Sequence, residues 1–405
     1  MIAEIKKSTL SGKVEAPPSK SMSHRMLICS GLAAGKSIVR GIAPSQDVLA
    51  TLDCLKAIGA TYEYDGDTVM IEGTDVRTLT GDVTLPCRES GSTLRFFLPI
   101  CLLANAKATL SGSERLFERP LEIYKSLCLN QGIRYESHKD SVCVKGKLKA
   151  DTYKIQGNVS SQFISGLLFA LPLLKNNTII DIVPPIESSS YIKLTIQALS
   201  LFGVEVSWLD ERTLFIKGSQ TYHPKEVNVE GDYSNAAFFD ALNYLGSKVE
   251  VSNLNADSIQ GDKAYGRYFD MMQKGTPTIS ISDCPDLGPI LCAVASAHFG
   301  GVFTGTRRLK MKESDRGAAM AQELAKFGIS VRVDEDTIIV YPTNFKKPQV
   351  SLSGHNDHRI VMALSVLLTK TGGVIEGAEA VSKSMPDFFD KMRALGMEVT
   401  LYEKA

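Results

Sequence analysis

The chain has 405 residues, 44% of them hydrophobic and 22% charged, which is the composition of a folded globular protein large enough for two domains. Lysine plus arginine and aspartate plus glutamate number 45 each, so the formal net charge is +0 and no overall positive field attracts nucleic acid. These values exclude a predominantly disordered chain and a general polyanion-binding protein, so any anion site must be local.

The apolar segments predict no contact with a membrane. Residues 1–7 lack the apolar core of a signal peptide, and the longest apolar runs, Phe96–Ala104 and Gly166–Leu174, are too short to cross a bilayer. We therefore expect a soluble, cytoplasmic protein.

The cysteines and histidines predict neither disulfides nor a metal site. No C-x-x-C pair occurs, and His355 and His358, the only close histidine pair, have no third soft ligand nearby. We expect free thiols in a reducing compartment, with no metal and no organic cofactor. The cysteines occupy positions 29, 54, 87, 101, 128, 143, 284 and 292.

The first predicted elements are a strand near Ala3–Leu10 and an apolar helix at Met26–Leu32. Before the helix, two prolines end a strand, serines are typical helix caps, and Lys20 and Arg25 lie near the N-terminal turn. Free N–H groups and the helix dipole also favour anions there, so this segment is a candidate oxyanion site. A plain serine-capped helix with exposed cations is the alternative, and the segment alone leaves both open. It reads Pro17-Pro18-Ser19-Lys20-Ser21-Met22-Ser23-His24-Arg25.

An amphipathic helix at Asp47–Gly59 opens a unit that recurs along the chain: helix, glycine, strand, polar turn and second strand. In this first copy Gly59 is the predicted helix C-cap, and Asp65-Gly66-Asp67 is the hairpin turn. One unit cannot bury its apolar faces alone, so six copies indicate duplication and packing of three units per domain. The other copies cover residues 120–144, 191–216, 315–340 and 386–402, with a degenerate copy at 265–282.

Two further serine-rich segments precede apolar helices. Glu89–Arg95 leads into a helix at Phe96–Leu103, and Gly91 there lets backbone amides approach a ligand closely. Ser160-Ser161-Gln162 opens a third apolar helix with three hydrogen-bonding side chains. Pseudo-symmetric repeats place such helix starts around a common point, although one glycine-containing turn is a weak signal by itself.

The six units predict an α/β (α+β) fold with two pseudo-threefold domains, each made of three helix–hairpin units. Glu230-Gly231-Asp232-Tyr233 lies between the third and fourth units and combines a flexible glycine with a helix start. We expect the strand near Ala3–Leu10 to pair into the later domain. The predicted domains are residues 15–229, with units one to three, and residues 1–14 plus 230–405, with units four to six.

Dense charge marks two helix starts in the second half of the chain. Lys312-Glu313-Ser314-Asp315-Arg316 begins one helix, and Asn356-Asp357-His358-Arg359 begins another at Ile360–Leu368. Cations are unfavourable at a helix N-terminus, so their recurrence calls for a compensating anion, such as a phosphate or carboxylate ligand. A solvated turn is the alternative. For Asp286, within Cys284–Pro289, the alternative is an aspartate-capped turn.

Two of these segments resemble signatures of the 5-enolpyruvylshikimate-3-phosphate synthase family. Ser19–Arg25 resembles its S-K-S-x-S-x-R segment, and Lys310–Arg316 resembles its second signature. The resemblance implies the inside-out α/β barrel fold of the enolpyruvyl transferases, with the active site in the cleft between the domains. Further matches in the family's order and spacing extend it over essentially the whole chain: Arg119-Pro120, Ser160-Ser161-Gln162, Asp286, His358-Arg359 and Lys383.

The resemblance implies transfer of the enolpyruvyl group of phosphoenolpyruvate to the 5-hydroxyl of shikimate 3-phosphate, with release of phosphate, in the shikimate pathway. Protonation of C3 and attack of the hydroxyl at C2 need an acid and a base rather than a covalent nucleophile. By matching position, Glu313 is the acid, Asp286 is the base, and Lys20 contacts the hydroxyl and the leaving phosphate. Because clustered cations repel one another, we expect the domains to close when anionic substrates bind.

The resemblance also assigns residues to each substrate. We expect a monomer that binds small-molecule substrates and binds neither nucleic acid nor a membrane. The residues assigned to shikimate 3-phosphate are Lys20, Ser21, Arg25, Ser160, Ser161, Ser188, Tyr191, Asp286 and Lys312. Those assigned to phosphoenolpyruvate are Lys20, Gly91, Arg119, Gln162, Arg316, Arg359 and Lys383.

Two positions depart from the family's pattern. The phosphoenolpyruvate loop G-N-[SA]-G-T reads Arg88-Glu89-Ser90-Gly91-Ser92, so a carboxylate replaces an asparagine amide, and Gly317 stands where an apolar residue is usual. Glu89 therefore leaves open how this loop meets its ligand and the inhibitor glyphosate.

Three other classes compete with this interpretation. A UDP-N-acetylglucosamine enolpyruvyl transferase shares the architecture and the chemistry, but it has a Lys-Asn pair where this chain has Lys20-Ser21. An RNA 3′-phosphate cyclase needs a catalytic histidine and basic tracks for nucleic acid. A phosphometabolite-binding protein without turnover has no use for two carboxylates, Asp286 and Glu313, among the cations.

Overall fold

The structure is a computed structural model of the chain, and it describes residues 1–403. The chain forms two compact units, each with its own buried hydrophobic cluster. The continuous unit is Pro18–Glu230, and the discontinuous unit combines Met1–Pro17 with the described part of Gly231–Ala405.

The helices of the continuous unit are α1 (Lys20–Leu32), α2 (Gln46–Ala57), α3 (Gly91–Cys101), α4 (Glu114–Phe117), α5 (Glu122–Asn130), α6 (Ser161–Ala170) and α7 (Ser189–Leu201). Those of the discontinuous unit are α8 (Tyr233–Tyr244), α9 (Tyr265–Lys274), α10 (Gly288–Ser296), α11 (Arg316–Lys326), α12 (His358–Thr371) and α13 (Phe388–Ala394). Short 3-10 helices include Pro285–Leu287, Arg307–Met311 and Ala378–Lys383.

The strands up to the end of the continuous unit are β1 (Ile2–Ile5), β2 (Ser11–Glu15), β3 (Lys36–Arg40), β4 (Thr61–Asp65), β5 (Thr68–Glu72), β6 (Asp82–Arg88), β7 (Lys107–Gly112), β8 (Arg134–Ser137), β9 (Ser141–Lys145), β10 (Thr152–Gln156), β11 (Thr178–Val183), β12 (Val206–Trp208), β13 (Thr213–Ile216) and β14 (Glu226–Asn228). The remaining strands are β15 (Lys248–Ser252), β16 (Thr278–Ser280), β17 (Gly301–Thr304), β18 (Val331–Val333), β19 (Thr337–Val340), β20 (Leu352–Ser353), β21 (Gly373–Glu376) and β22 (Val399–Tyr402).

The continuous unit contains three sheets of one design, with strand orders β14-β3-β5-β4, β6-β7-β9-β8 and β10-β11-β13-β12. In each sheet the first two strands are parallel, and the remaining pairs are antiparallel. The last two strands of each order are the hairpin of one predicted repeat, so each repeat of this unit contributes one hairpin to one sheet.

The discontinuous unit repeats this design with exceptions. Its sheets have the orders β16-β17-β19-β18, β20-β21-β1-β22 and β15-β2. The N-terminal strand β1 pairs antiparallel with both β21 and β22, so it supplies the second strand of the repeat that ends at Tyr402. The degenerate copy at 265–282 has a helix and the strand β16, but β16 pairs in parallel with β17 and forms no hairpin. The prediction of a helix and a hairpin in this copy was therefore only partly correct, because the strand that pairs with β16 lies in a later segment.

Glycines end five of the predicted helices, as expected from the repeat. Each has a positive φ, a backbone conformation that glycine adopts without the clash of a Cβ. They are Gly59 (φ 104°), Gly132 (φ 70°), Gly203 (φ 80°), Gly328 (φ 80°) and Gly396 (φ 100°).

The apolar runs of the sequence are the central helices of the two units. In α3 and α6, which contact each other, all residues except Ser92 and Gln162 are buried. The whole of α10 and residues 358–369 of α12 are buried in the discontinuous unit. Within residues 1–403, no helix combines the length and the apolarity needed to span a bilayer.

Three helices begin earlier than their apolar pattern predicts, because a side chain before each helix caps it. Ser19, Ser90 and Asp357 each accept a hydrogen bond from a backbone N–H of the first turn. The polar residues of the predicted anion sites therefore belong to the helices themselves. The observed starts, with the predicted starts in parentheses, are Lys20 (Met26), Gly91 (Phe96) and His358 (Ile360).

Candidate active site

In the continuous unit, the candidate residues other than Arg119 lie at or within two turns of the starts of four helices, whose first backbone N–H groups have no intrahelical partner. Ser160 caps α6 and accepts from Gln162 N at 3.3 Å, while Ser188 precedes α7 with a left-handed φ of 54°. The residues are Lys20, Ser21 and Arg25 on α1, Gly91 on α3, Ser160, Ser161 and Gln162 at α6, and Ser188 and Tyr191 at α7.

Arg25 ties three of these helices together. Its Nε donates to Thr195 Oγ1 at 2.9 Å, and its Nη1 donates to the carbonyl of Ser21 at 2.7 Å. Its Nη2 donates to the carbonyl of Tyr191 at 3.0 Å and to Ser165 Oγ at 3.5 Å. Arg25 is only 3% exposed, and this burial lowers its pKa to about 10. The observed contacts position Ser21 and Tyr191, and the contact of Arg25 with a carboxylate stays a prediction.

Gln162 joins the starts of α3 and α6. Its Nε2 donates to Ser92 Oγ at 2.9 Å, so the two incompletely buried residues of these helices bond to each other. Arg95 donates from Nη1 to Gln162 Oε1 at 3.0 Å and from Nη2 to the carbonyl of Pro120 at 3.0 Å. Arg95 is a positioning residue that the sequence did not single out, because a buried arginine inside an apolar helix has no distinctive spacing.

Gly91 lies directly against the guanidinium of Arg119. A Cβ added at Gly91 would lie 2.7 Å from both Nη1 and Nη2 of Arg119, which is closer than van der Waals contact allows. Arg119 is 8% exposed. The structure therefore brings together two residues that the resemblance assigns to phosphoenolpyruvate, and it explains why this position is a glycine.

Lys20 forms an ion pair that the sequence did not predict. Its Nζ lies 2.8 Å from Oδ2 of Asp47, and the two side chains are 16% and 12% exposed. Asp47 is in the first turn of α2, where a carboxylate also interacts favourably with the helix dipole. Because a carboxylate in the first turn of a helix is common, the sequence gives no reason to single out Asp47. Only the tertiary structure shows that Asp47 faces Lys20.

In the discontinuous unit, Asp286 is the centre of an ion-pair cluster. Its Oδ1 lies 2.9 Å from Arg316 Nη1 and 3.1 Å from Lys312 Nζ, and its Oδ2 lies 3.2 Å from Arg359 Nη2. Asp286 comes from the 3-10 helix before α10, Arg316 and Arg359 come from the starts of α11 and α12, and Lys312 directly follows the 3-10 helix Arg307–Met311. Four of the predicted residues of this unit are therefore in direct contact.

Arg316 is bound by three carboxylates and is 1% exposed. Its Nη2 lies 2.8 Å from Glu313 Oε2, and its Nε lies 2.8 Å from Asp357 Oδ2. Burial opposes the charge of Arg316, but the carboxylates of Asp357, Glu313 and Asp286 outweigh burial and raise its pKa. Arg316 is therefore charged throughout the ordinary pH range.

The other cations of the cluster differ in their electrostatics. Burial lowers the pKa of Lys312, and Asp286 only partly opposes this shift. For Arg359 burial also acts against the charge, but Asp286 together with Asp232 and Asp262 outweighs it, and the pKa is raised. Lys383 donates to the carbonyl of Asn356 at 2.6 Å, so it lies beside the start of α12. Of Lys312, Arg316 and Arg359, Lys312 is therefore the one whose charge is most readily lost.

The cations at these helix starts have protein carboxylates beside them. The sequence predicted a ligand as the compensating anion. In the structure, the carboxylates of Asp286, Glu313 and Asp357 already neutralise much of the positive charge of these side chains. Repulsion between Lys312, Arg316 and Arg359 is correspondingly reduced. The clustered cations therefore require a bound anion less than the sequence predicts, and the carboxylates distinguish this cluster from a plain anion site.

The three carboxylates that contact Arg316 differ in solvent exposure, so they also differ in how readily a proton can reach them. The side chains of Asp286 and Glu313 are 20% and 15% exposed, whereas Asp357 is completely buried. Asp357 also accepts from Ser314 Oγ at 3.0 Å and from Arg359 N at 2.9 Å. Asp286 and Glu313 are therefore partly accessible, while Asp357 holds Arg316 and the start of α12.

The close histidine pair of the sequence is not a joint site. His355 Nε2 lies 2.9 Å from Glu323 Oε1, whereas His358 is 1% exposed and follows the cap residue Asp357. Residues 1–403 contain no group of three or more His, Cys, Asp or Glu side chains arranged to hold a metal ion.

Both the continuous and the discontinuous unit contain helix–hairpin repeats, and cations, hydroxyls and accessible carboxylates lie at their helix starts. These features define the class of the enolpyruvyl transferases. The chain belongs to the EPSP synthase (3-phosphoshikimate 1-carboxyvinyltransferase) family, whose profile matches residues 5–392.

Relatives and solved structures agree with this membership. The 3-phosphoshikimate 1-carboxyvinyltransferase of Clostridium kluyveri is 39% identical over 98% of this chain and 97% of its own length. That of Clostridium perfringens is 36% identical over 96% of this chain and 97% of its own. An EPSP synthase from Acinetobacter baumannii has a TM-score of 0.79 at 22% identity, covering 99% of each chain. The enolpyruvyl transferase NikO from Streptomyces tendae has a TM-score of 0.80 at 15% identity, covering 98% of each chain. These two structures show the shared fold.

Proposed function

We propose that the chain transfers the enolpyruvyl group of phosphoenolpyruvate to the 5-hydroxyl of shikimate 3-phosphate and releases phosphate by addition–elimination. The observation that carries the proposal is the cluster in which two accessible carboxylates, Asp286 and Glu313, share Arg316. Purely structural anion binding needs no carboxylate there, whereas this reaction needs an acid and a base. Membership of the family supplies the choice of substrates.

The proposed reaction has two balanced steps. In the addition, Glu313 protonates C3 of phosphoenolpyruvate, the 5-oxygen of the acceptor bonds to C2, and Asp286 takes the hydroxyl proton. In the elimination, the bond between C2 and the phosphate oxygen breaks as C3 returns a proton to Glu313, which restores the double bond, and the proton held by Asp286 passes to the departing phosphate. Lys20 contacts the 5-hydroxyl and the leaving phosphate, and its ion pair with Asp47 supports its placement as a cation.

The binding roles are proposed from the family positions. Phosphoenolpyruvate contacts Lys20, Gly91, Arg119, Gln162, Arg316, Arg359 and Lys383. Shikimate 3-phosphate contacts Lys20, Ser21, Arg25, Ser160, Ser161, Ser188, Tyr191, Asp286 and Lys312.

We further propose a monomer in the cytoplasm. The eight cysteines are free and buried, which suits a reducing compartment. Size-exclusion chromatography with light scattering checks the monomer, and a dimer mass would contradict it.

The experiment that tests the proposed function is an assay of phosphate release from phosphoenolpyruvate with alternative acceptors. We expect release only when shikimate 3-phosphate is present. Release with UDP-N-acetylglucosamine would keep the chemistry and change the acceptor. Binding of phosphoenolpyruvate without release in any condition would contradict the proposal and support a binding protein.

Gly91→Ala tests the role of Arg119. The added methyl group must displace the Arg119 guanidinium, which is the flexible end of a side chain, so the fold should tolerate it. Loss of a charge-assisted contact predicts an increase of about 10- to 100-fold in the KM for phosphoenolpyruvate. Steady-state kinetics measures the change. Gly266→Ala is the control, because a Cβ there meets no atom within 4 Å. An unchanged KM in Gly91→Ala would remove Arg119 from the proposed site.

A further inference from the structure

A chain of buried hydrogen bonds connects three helices of the continuous unit. His24 Nδ1 lies 2.7 Å from Thr51 Oγ1, Thr51 Oγ1 lies 2.8 Å from Thr93 Oγ1, and Thr93 Oγ1 donates to Ser90 Oγ at 2.7 Å. The four residues are at most 1% exposed. The chain therefore runs from α1 through α2 to the N-cap of α3 without access to solvent.

The donors and acceptors of this hydrogen-bond chain can be arranged in one direction only, because each hydroxyl has a single hydrogen to donate. Thr93 gives its hydrogen to Ser90, so Thr51 must donate to Thr93 and accept from His24. His24 is then protonated on Nδ1. Burial lowers its pKa well below the usual value, and Lys20 and Arg25 add to this effect. His24 is therefore a neutral imidazole in the Nδ1–H tautomer near neutral pH.

A second contact between the same helices lies one turn away. Lys20 and Asp47 are each four residues before His24 and Thr51, and they form the ion pair between α1 and α2. Residues four apart lie on one face of a helix, so the ion pair and the hydrogen bond are two adjacent links between α1 and α2. The hydrogen-bond chain continues to α3 through Thr93.

The end of the chain is next to Gly91. Ser90 Oγ accepts from Thr93 Oγ1 and from Thr93 N, and Gly91 follows Ser90 and lies against Arg119. Side-chain hydrogen bonds therefore connect the Ser90–Gly91 segment to α1. Breaking the chain should release this segment, while the ion pair of Asp47 keeps Lys20 in place.

We propose that His24, Thr51 and Thr93 are positioning residues that fix the Ser90–Gly91 segment relative to Lys20, and so set the affinity for phosphoenolpyruvate. This inference rests on the proposed function. It differs from a role in folding alone, because it predicts an effect on one substrate and not on the other.

Thr51→Val tests the inference, because valine keeps the shape of threonine and removes the hydroxyl. The KM for phosphoenolpyruvate should rise about 5- to 30-fold, while the KM for shikimate 3-phosphate stays unchanged. Thr51→Ser should restore the wild-type value. Thr178→Val is the matched control, since Thr178 is buried in the same unit and its hydroxyl has no hydrogen-bond partner in the described part of the chain. It should behave as the wild type.

A second variant and a spectroscopic measurement keep the inference testable if Thr51→Val does not fold. Thr93→Val breaks the chain at its next link and should reproduce the effect on phosphoenolpyruvate if Thr51→Val does not fold. Nitrogen NMR of the imidazole should report the Nδ1–H tautomer of His24. An unchanged KM for phosphoenolpyruvate in either folded variant, or an equal rise for both substrates, would overturn the inference. If the wild type releases no phosphate with shikimate 3-phosphate, the proposed function itself fails.

Discussion

Glu313→Gln is expected to lower kcat by about 10²- to 10⁴-fold while the substrates still bind. Glutamine has the shape of glutamate and its oxygen can still accept from Arg316, which lies 2.8 Å from Glu313. An amide cannot supply the proton that C3 of phosphoenolpyruvate requires. Steady-state kinetics gives kcat, and calorimetric titration with shikimate 3-phosphate gives the retained affinity.

Asp390→Asn is the control for Glu313→Gln. Asp390 also precedes its arginine by three residues, with 3.0 Å between Asp390 Oδ1 and Arg393 Nη1, but it lies on the exposed face of α13. It should leave kcat unchanged. Turnover of Glu313→Gln close to that of the wild type, with intact binding, would remove Glu313 from the acid role.

Asp357→Ala is expected to destabilise the discontinuous unit by about 3–5 kcal/mol. Asp357 is fully buried, and its removal leaves the buried guanidinium of Arg316 without one of its carboxylates and α12 without its cap. Glu313 and Asp286 still contact Arg316, which limits the loss. The shift of the urea midpoint, followed by circular dichroism, measures the effect.

Asp315→Ala and Asp357→Asn separate the two contributions. Asp315 caps α11 by accepting from Ala318 N at 3.1 Å and is only partly buried, so its loss should cost about 1 kcal/mol. Asp357→Asn keeps an oxygen for the cap and removes the charge. If Asp357→Ala costs no more than Asp315→Ala, the buried ion pair does not stabilise the unit.

The repeats could be predicted from the sequence because their signals are local. A helix with one apolar stripe, a glycine after its end and an alternating hairpin are all read within one segment, and Gly59 and Gly328 have the positive φ that this pattern requires. The position of β1 between β21 and β22 depends on pairing across nearly the whole chain. Such pairing has no local pattern, so the strand orders followed only from the structure.

The helix starts were predicted too late for a related reason. Periodic burial of apolar residues marks a helix, but His24 and Arg25 are buried polar residues, and each forms a hydrogen bond with a distant side chain, Thr51 and Thr195 respectively. Sequence patterns assign such residues to exposed turns. At this site the rule that polar residues lie outside fails, as is common where a fold carries function.

The cations of the site were predicted, and two of their partners were not. Lys20 and Arg316 stood out because charge is unusual at a helix start, whereas Asp47 and Asp357 have an ordinary role at the same place. A carboxylate in the first turn favours the helix by itself, so nothing in the sequence shows that it also faces a cation. Asp357 stands two residues before Arg359 in the sequence, but the compensating anion predicted there was a ligand and not this carboxylate.

The most direct test of the account is to run the reaction in D₂O and examine the products by proton NMR. Addition–elimination converts C3 transiently to a methyl group, so we predict an enolpyruvyl ether on the 5-oxygen of shikimate 3-phosphate with deuterium in its vinyl group. Release of phosphate with no deuterium at C3, or with pyruvate in place of the enolpyruvyl ether, would contradict the proposed mechanism and the assignment of Glu313 and Asp286.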